Sequence, residues 1–284
     1  MALYAIGDLH LSFTVNKPME VFGAEWKNHV ARIEKHWKKR VAPEDTVVVT
    51  GDHSWGRNLE ECAADLEFIA ALPGKKILLR GNHDMFWDAK KTYRLNEQYG
   101  GRLCFLQNNF YAYEDCALVG TKGYCDEGRD TPEHFEKLVN RELERLRMSF
   151  EMAAAEGFQR FIMFLHYPPT SIGEMESGFT RMAEEYGAEQ VVYSHCHGQA
   201  RYQDSLMGEV EGVASVGPSS ASGLRSVFAS KPATQGIDVT LDEEEKLHVS
   251  VRVDVYYGYA LPDLAANVRK AVADAVASQV GASV

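Results

Sequence analysis

The sequence predicts a layered α/β domain with mixed strands, on observations of three kinds. Short apolar runs recur without polar alternation: Leu3-Tyr4-Ala5-Ile6, Thr46-Val47-Val48-Val49, Lys76-Ile77-Leu78-Leu79, Phe161-Ile162-Met163-Phe164-Leu165 and Val191-Val192-Tyr193. Segments with helical periodicity separate them. Each run also stops at a cluster of Asp, Asn or His: Asp8-x-His10, Gly51-Asp52, Gly81-Asn82-His83-Asp84, His166 and His195-x-His197.

Runs of β-branched and aromatic residues without alternation fit strands covered on both faces. The first helix is expected over 25–40, where Trp26, Val30, Ile33 and Trp37 recur at helical spacing, and the second over 59–72, with Leu59, Cys62, Leu66 and Ile69. A strand hairpin is expected over 103–119. The stretch 132–156 then places Phe135, Leu138, Val139, Leu143, Leu146 and Phe150 on one helical face. A further strand carries Val213 and Val216 and is followed by a loop of small residues, 217–223. Ile237–Leu241 and Leu247–Val255 read as a hairpin whose solvated turn is Asp242-Glu243-Glu244-Glu245. The last helix spans 262–280, with Leu264, Val268, Val272 and Val276 on one face. Strands alternating with helices gather ligands beyond the carboxyl ends of the strands. The five motifs should therefore converge in space.

Composition bounds the function. A chain of 284 residues with 45% hydrophobic content buries a large core as one domain with an appendage. No stretch reaches the length of a membrane span, and the chain opens on a strand rather than on a charged leader with an apolar core. Five cysteines without C-x-x-C spacing point to reduced thiols in a cytoplasm, Cys104 and Cys116 included, although these two can face each other across the hairpin at 103–119. A net charge of −11 argues against nucleic-acid and anionic-membrane binding, which require a basic footprint.

The motif residues themselves suggest metal chemistry. Residues i and i+2 of an extended segment point the same way, so Asp8 and His10 can face one pocket, as can His195 and His197. Carboxylate, amide oxygen and imidazole suit Mn, Fe, Zn, Ni or Co rather than thiolate-seeking ions. Asp52 can bridge two ions through its two oxygens. Two adjacent ions generate hydroxide from water beside a polarised phosphate. His53 reads as an exposed loop residue and Cys196 as a small packed thiol. Trp55, Phe86 and Trp87, which follow ligand strands, read equally as substrate-pocket wall or as core. Lys122, Tyr124 and Arg129, in a Gly-flanked loop, are candidate contacts to the substrate phosphate, with ordinary loop roles the larger expectation.

The ordered set D-x-H, G-D, G-N-H-D, H and S-H-x-H resembles that of the calcineurin-like metallophosphoesterases, and within them small bacterial predicted phosphohydrolases. The stretches DLHLSF (8–13), GDHSWG (51–56), LPGKK (72–76), RGNHD (80–84), LQNN (106–109), GTKGY (120–124) and HYPP (166–169) carry the resemblance over roughly residues 1–225. It implies a four-layer α/β/β/α sandwich. The strand pattern extends this domain to 258 and leaves 259–284 as a helical tail, packed on the domain or on a partner such as a second copy. The resemblance gives one ion to Asp8, His10 and His197 and the other to Asn82, His166 and His195, with Asp52 between them. His83 would be the leaving-group acid and Asp84 would orient its ring. Arg80 matches the R-G-N-H of the protein phosphatases, but their G-D-x-V-D-R-G is absent here: Arg57 stands one position late. The implied activity is hydrolysis of a small-molecule phosphomonoester or phosphodiester through a metal-activated hydroxide. The alternatives are a protein phosphatase or nuclease of the same superfamily, or a non-catalytic binding scaffold with this fold.

Overall fold

The computed structural model describes residues 1–126, 130–171, 174 and 176–196, with the segments 213–216, 237–241, 247–251, 253–255 and 261–280. They form two compact units. The first comprises Met1–Ser171 and Glu176–His195, and the second residues 172–175 and 196–284. The break thus follows His195, whereas the strand pattern of the sequence carries one domain to 258.

The first unit contains two four-stranded sheets. In one, β1 (Leu3–Ile6), β2 (Thr46–Val49), β3 (Lys75–Leu79) and β4 (Cys104–Leu106) lie side by side in chain order, all parallel. In the other, β5 (Phe110–Tyr113) and β6 (Cys116–Thr121) form an antiparallel hairpin, and β7 (Arg160–Leu165) and β8 (Ala188–Val192) continue in parallel. Parallel neighbours need crossovers. These are α1 (His29–Arg40), α2 (Leu59–Ala71), α3 (Thr92–Tyr99), α4 (Pro132–Ala155) and α5 (Gly178–Tyr186). Local chemistry sets where they start. Asn58 caps α2 by accepting from Glu61 N at 3.0 Å, Thr131 caps α4 ahead of Pro132, and Ser177 and Thr180 form a capping box on α5.

Three apolar layers hold this unit together. Val48, Ile77, Leu79 and Leu106 of the first sheet meet Leu118, Ile162 and Phe164 of the second. On its outer face the first sheet turns Val47, Val49, Leu78 and Phe105 toward Trp37, Leu66, Ile69 and Leu95 of its helices. The second sheet turns Val119, Phe161, Met163 and Leu165 toward Leu146, Phe150, Phe179 and Met182. Both faces of the central strands are therefore dry, which is why their sequences do not alternate. The result is the α/β/β/α sandwich.

The hairpin expected over 103–119 divides differently. Cys104 lies in the first sheet and Cys116 in the second, and the true hairpin is Phe110–Thr121. The chain changes sheets at residues 107–109, where Gln107 N donates to Asn109 Oδ1 (2.8 Å), Asn108 has φ 58° and Asn109 Nδ2 donates back to Phe105 O (3.1 Å). Cys62, Cys104, Cys116, Cys125 and Cys196 are all free thiols.

The second unit pairs β9 (Val213–Val216) with β12 (Val253–Val255) and β10 (Ile237–Leu241) with β11 (Leu247–Val251), both antiparallel. Helix α6 (Leu261–Val280) buries Leu264 and Val268 against Val251 and Val253. Residues 217–223 and 242–245 lie outside the described residues. Among those described, no helix is long and apolar enough to cross a membrane.

Leu118 is fully buried in the layer between the sheets. Leu118→Ala should lower unfolding stability by about 2–5 kcal/mol, the usual loss for a core leucine. Urea denaturation followed by circular dichroism measures it, and a loss below about 1 kcal/mol would mean that the sheets do not pack through this residue.

Candidate metal centre

The site forms where β1 and β2 stop being regular strands. Their hydrogen bonding continues past the strand ends, with Asp8 N donating to Gly51 O (3.0 Å), His10 N to Asp52 O (2.9 Å) and Leu11 N to His53 O (3.0 Å). This places Asp8 and His10 beside Asp52. Asp8, His10, Asp52 and His195 all adopt left-handed backbone, with φ of 56°, 44°, 55° and 71°. Non-glycine residues in that region cost of order 1–3 kcal/mol each and persist only where the surroundings impose them. Glycines allow the close approaches. A Cβ on Gly51 would lie 2.5 Å from His166 Nδ1, and one on Gly81 would lie 2.1 Å from Asp52 Oδ1.

Six of the sequence-predicted ligands come together. Asp8, His10 and Asp52 form one group able to hold a cation, and Asp52, His166 and His195 form another. His10 Nε2 is 3.8 Å from Asp8 Oδ1 and 3.7 Å from Asp52 Oδ2. His166 Nε2 is 3.5 Å from the same Asp52 Oδ2, 2.7 Å from Asn82 Oδ1 and 3.2 Å from His195 Nδ1. His195 N donates to Asp8 Oδ2 at 3.0 Å, which joins the groups. His197 lies outside the described residues.

The donor set fits a cation on internal grounds. Burial pushes the His166 pKa down to about 3, so its ring is neutral and carries one N–H. Nδ1 lies 2.9 Å from Thr50 O, which takes that hydrogen and leaves a lone pair on Nε2. The lone pairs of Nε2, Asn82 Oδ1 and Asp52 Oδ2 then face one another in a buried site and repel unless a proton or cation lies among them. Asp52 is fully buried, and its Oδ2 has no hydrogen-bond partner. Burial first, then the Asp84 and Asp8 carboxylates, raise the Asp52 pKa well above the ordinary range. Such a crowd of acceptors is stable in its ionised form only with positive charge among them.

Asp84 corrects an expectation. Its fully buried carboxylate does not orient the His83 ring. It accepts from Gly81 N (2.7 Å), Asp52 N (3.0 Å) and His53 N (2.9 Å) and pairs with His53 Nδ1 (2.9 Å). Burial alone would raise the Asp84 pKa, but His53 and these backbone donors outweigh it and hold the group well below the usual carboxylate range. His53, expected at the surface, is fully buried as the partner of this carboxylate. The sequence carried a signal in the adjacency of His53 to Asp52, but nothing in it pointed to Asp84 as the partner.

Around the ligands, the His83 ring lies 4.3 Å from the Trp55 ring and 5.6 Å from that of His10, while its backbone N donates to Asp52 Oδ1 at 2.8 Å. Trp55 stacks on His10 at 4.8 Å. Phe86 and Trp87 belong to the core beside Leu78 and Phe105 and form no pocket wall. Arg57 is exposed, its backbone N bonded to Glu61 Oε2. Lys122 is buried, with Nζ 5.0 Å from the Tyr124 ring centroid and 4.9 Å from that of Tyr167. Its carbonyl accepts from His166 N and Tyr167 N. Arg80 is half-buried nearby, whereas Arg129 lies outside the described residues. Sequence reasoning missed Tyr167, which lies 4.1 Å from the His195 ring; its position directly after His166 was the available signal.

Comparison with known proteins agrees with this geometry. A family model described as calcineurin-like phosphoesterase matches residues 1–199, and a second, of a family with a cell envelope-related function, matches residues 204–284. No curated protein matches the chain. Among solved structures, the chain is similar to a protein of unknown function from Aquifex aeolicus at 20% identity and a TM-score of 0.34, over 68% of this chain and 90% of the other. It is also similar to a phosphopantetheinyl hydrolase from Mycobacterium tuberculosis at 16% identity and a TM-score of 0.39, over 69% and 82% of the two chains. The match over residues 1–199 takes in every motif that converges on Asp52, and the chain therefore belongs to the calcineurin-like phosphoesterase family of metal-dependent phosphoester hydrolases.

Proposed function

We propose that the chain is a dinuclear-metal phosphoesterase acting on small-molecule phosphomonoesters or phosphodiesters. The observation that carries this reading is the position of Asp52 Oδ2 between His10 Nε2 (3.7 Å) and His166 Nε2 (3.5 Å), so that one carboxylate serves both ligand groups. Asp8, His10 and His197 would hold one ion, and Asn82, His166 and His195 the other, each drawn from Mn, Fe, Zn, Ni or Co. When bound, two such cations polarise the phosphoryl oxygens and lower the pKa of water to near neutrality.

The chain's own residues do the rest. His83, held against Trp55 and the ligand His10, protonates the departing oxygen. Asp84 and His53 keep Asp52 in place from behind, and Trp55 shields one side of the site from water. The exposure of Arg57 and the missing in-register arginine speak against a dedicated protein phosphatase, and the net charge of −11 against a nuclease. Free thiols throughout support a cytoplasmic setting.

Asp52→Asn removes the shared charge and should weaken both metal sites together. Elemental analysis of the purified variant measures this, with circular dichroism to confirm that it folds. Loss of one ion alone would show that Asp52 does not bridge. His83→Ala should leave metal content nearly unchanged and cut turnover by roughly 10²–10⁴-fold. The deficit should be larger for alkyl phosphates than for nitrophenyl phosphate, whose leaving group needs no proton. Equal deficits on the two substrates would remove His83 from the role of acid.

With Mn²⁺ the protein should hydrolyse aryl phosphodiesters or small phosphomonoesters in preference to phosphoserine peptides and duplex DNA. Catalytic efficiencies on this panel under one metal condition test the choice. A phosphopeptide preferred by about tenfold, or efficient DNA cleavage, would overturn it.

A further inference from the structure

β1 is the outermost strand of its sheet, with β2 as its neighbour, and a cleft of about 510 Å³ lies between it and helix α1. That volume is in the range of small-molecule sites. The two ends of the cleft differ. Gly7, Asp8, Trp26 and His29 line one end, where the Trp26 ring lies 5.8 Å from that of the proposed ligand His10 and 5.4 Å from that of His29. At the other end Tyr4 Oη donates to Arg40 O (3.0 Å) and ties the strand to the last turn of the helix. The cleft thus begins beside the metal ligands and ends at a fixed distance from them. From Asp8 to Tyr4 along the strand, or from His29 to Arg40 along the helix, the span is roughly 13–16 Å.

Its floor is apolar, formed by Ile6, Ile33, Trp37 and Val47. Trp37 is fixed there because its Nε1 donates to Pro73 O at 2.9 Å. Ile6 and Ile33 are only half-buried, so they keep apolar surface open toward water. On the rim Arg32, His36 and Arg40 are exposed. Asp8 is the single carboxylate among the lining residues, in a chain whose net charge is −11. The cleft therefore admits an anion more readily than most of this surface does. At the metal end His29 Nε2 is buried with no hydrogen-bond partner among the described residues. An unsatisfied polar atom thus lies where the polar end of a ligand would be, and the apolar floor extends away from it.

An anion with an elongated apolar body matches this arrangement when its phosphoester sits at the metal centre. We infer that the cleft between β1 and α1 binds the organic group of the substrate, and that this group is an elongated alkyl or arylalkyl chain. This rests on the proposed phosphoesterase reading and narrows its substrate class.

Two ester series test it on the Mn²⁺-loaded full chain: alkyl phosphates and nitrophenyl alkyl phosphates, each running from methyl to decyl. The second series keeps one leaving group throughout, so only the binding of the chain varies. In whichever series is hydrolysed, kcat/KM should climb by about two- to fourfold per methylene, as burial of that group implies. The climb should level off once the chain fills the cleft as far as Tyr4. Ile33→Trp, which narrows the cleft, and Ile33→Asn, which makes its floor polar, should each flatten the series, with circular dichroism to confirm folding. In calorimetry, which needs no turnover, octylphosphonate should bind the unmodified protein about tenfold or more tightly than methylphosphonate. Equal efficiency across the methyl-to-decyl esters overturns the inference and leaves the cleft to another occupant, such as a partner strand on the free edge of β1. So does a climb that both Ile33 variants leave intact, which would place the chain elsewhere. If no phosphoester is hydrolysed, nitrophenyl phosphate included, the phosphoesterase reading fails instead, and the phosphonate comparison still decides whether the cleft takes an apolar chain.

Discussion

Asp84 accepts three backbone N–H groups and pairs with the His53 ring, all without access to water, and the metal centre is built around this buried carboxylate. Hydrogen bonds to an ionised group are worth roughly 1.5–3 kcal/mol net when satisfied, and leaving such a group buried and unpaired costs more. The carboxylate therefore fixes the loops after β2 and β3 relative to each other. One consequence is the left-handed backbone at Asp52, which sends its side chain toward His10 and His166 rather than along the strand. Another is that Gly81 N and His83 N point at carboxylates, Asp84 and Asp52 in turn. The loop 81–84 is thus stitched to 51–53 from both sides.

Strain collects where function needs it. Asp8, His10, Asp52 and His195 account for most of the non-glycine positive-φ positions among the described residues. None is a turn residue held by local preference alone. Each is tied by long-range bonds: Asp8 N to Gly51 O, His10 N to Asp52 O, His195 N to Asp8 Oδ2, and Asp52 N to Asp84. A scaffold that imposes left-handed geometry on four residues directs their side chains to one volume before any ion arrives. Such pre-organisation lowers the entropic cost of binding a cation.

The sequence made the strands legible because both faces of the central strands are dry, and it made the ligands legible because parallel strands end on one side of a sheet. Asp8, His10, Asp52, Asn82, His166 and His195 all lie where that rule puts them. The rest depended on information that no local pattern holds. The change of sheet at 107–109 is made by side-chain to backbone bonds of Asn109 and by left-handed Asn108, in a stretch that reads as an ordinary turn. His53 looked exposed because a histidine after Gly-Asp has no periodic partner, and its partner proved to be 31 residues away. Phe86 and Trp87 followed a ligand motif closely enough to suggest a pocket wall, yet α3 and β4 pack over them, and neither element has a strong signature of its own.

Charge acts on two length scales here. At physiological ionic strength the field of a net −11 chain decays over roughly 8 Å, so it is felt mainly by large anions that cover much of the surface. The buried Lys122 and the half-buried Arg80 act over a few ångströms, where their fields are less screened than at the surface. On the proposed reading, a long polyanion would meet repulsion from the acidic chain that few favourable contacts could offset. A small anion that fits within the site would avoid most of that repulsion. On the proposed reading, the acidic charge would therefore favour compact ligands over long polyanions.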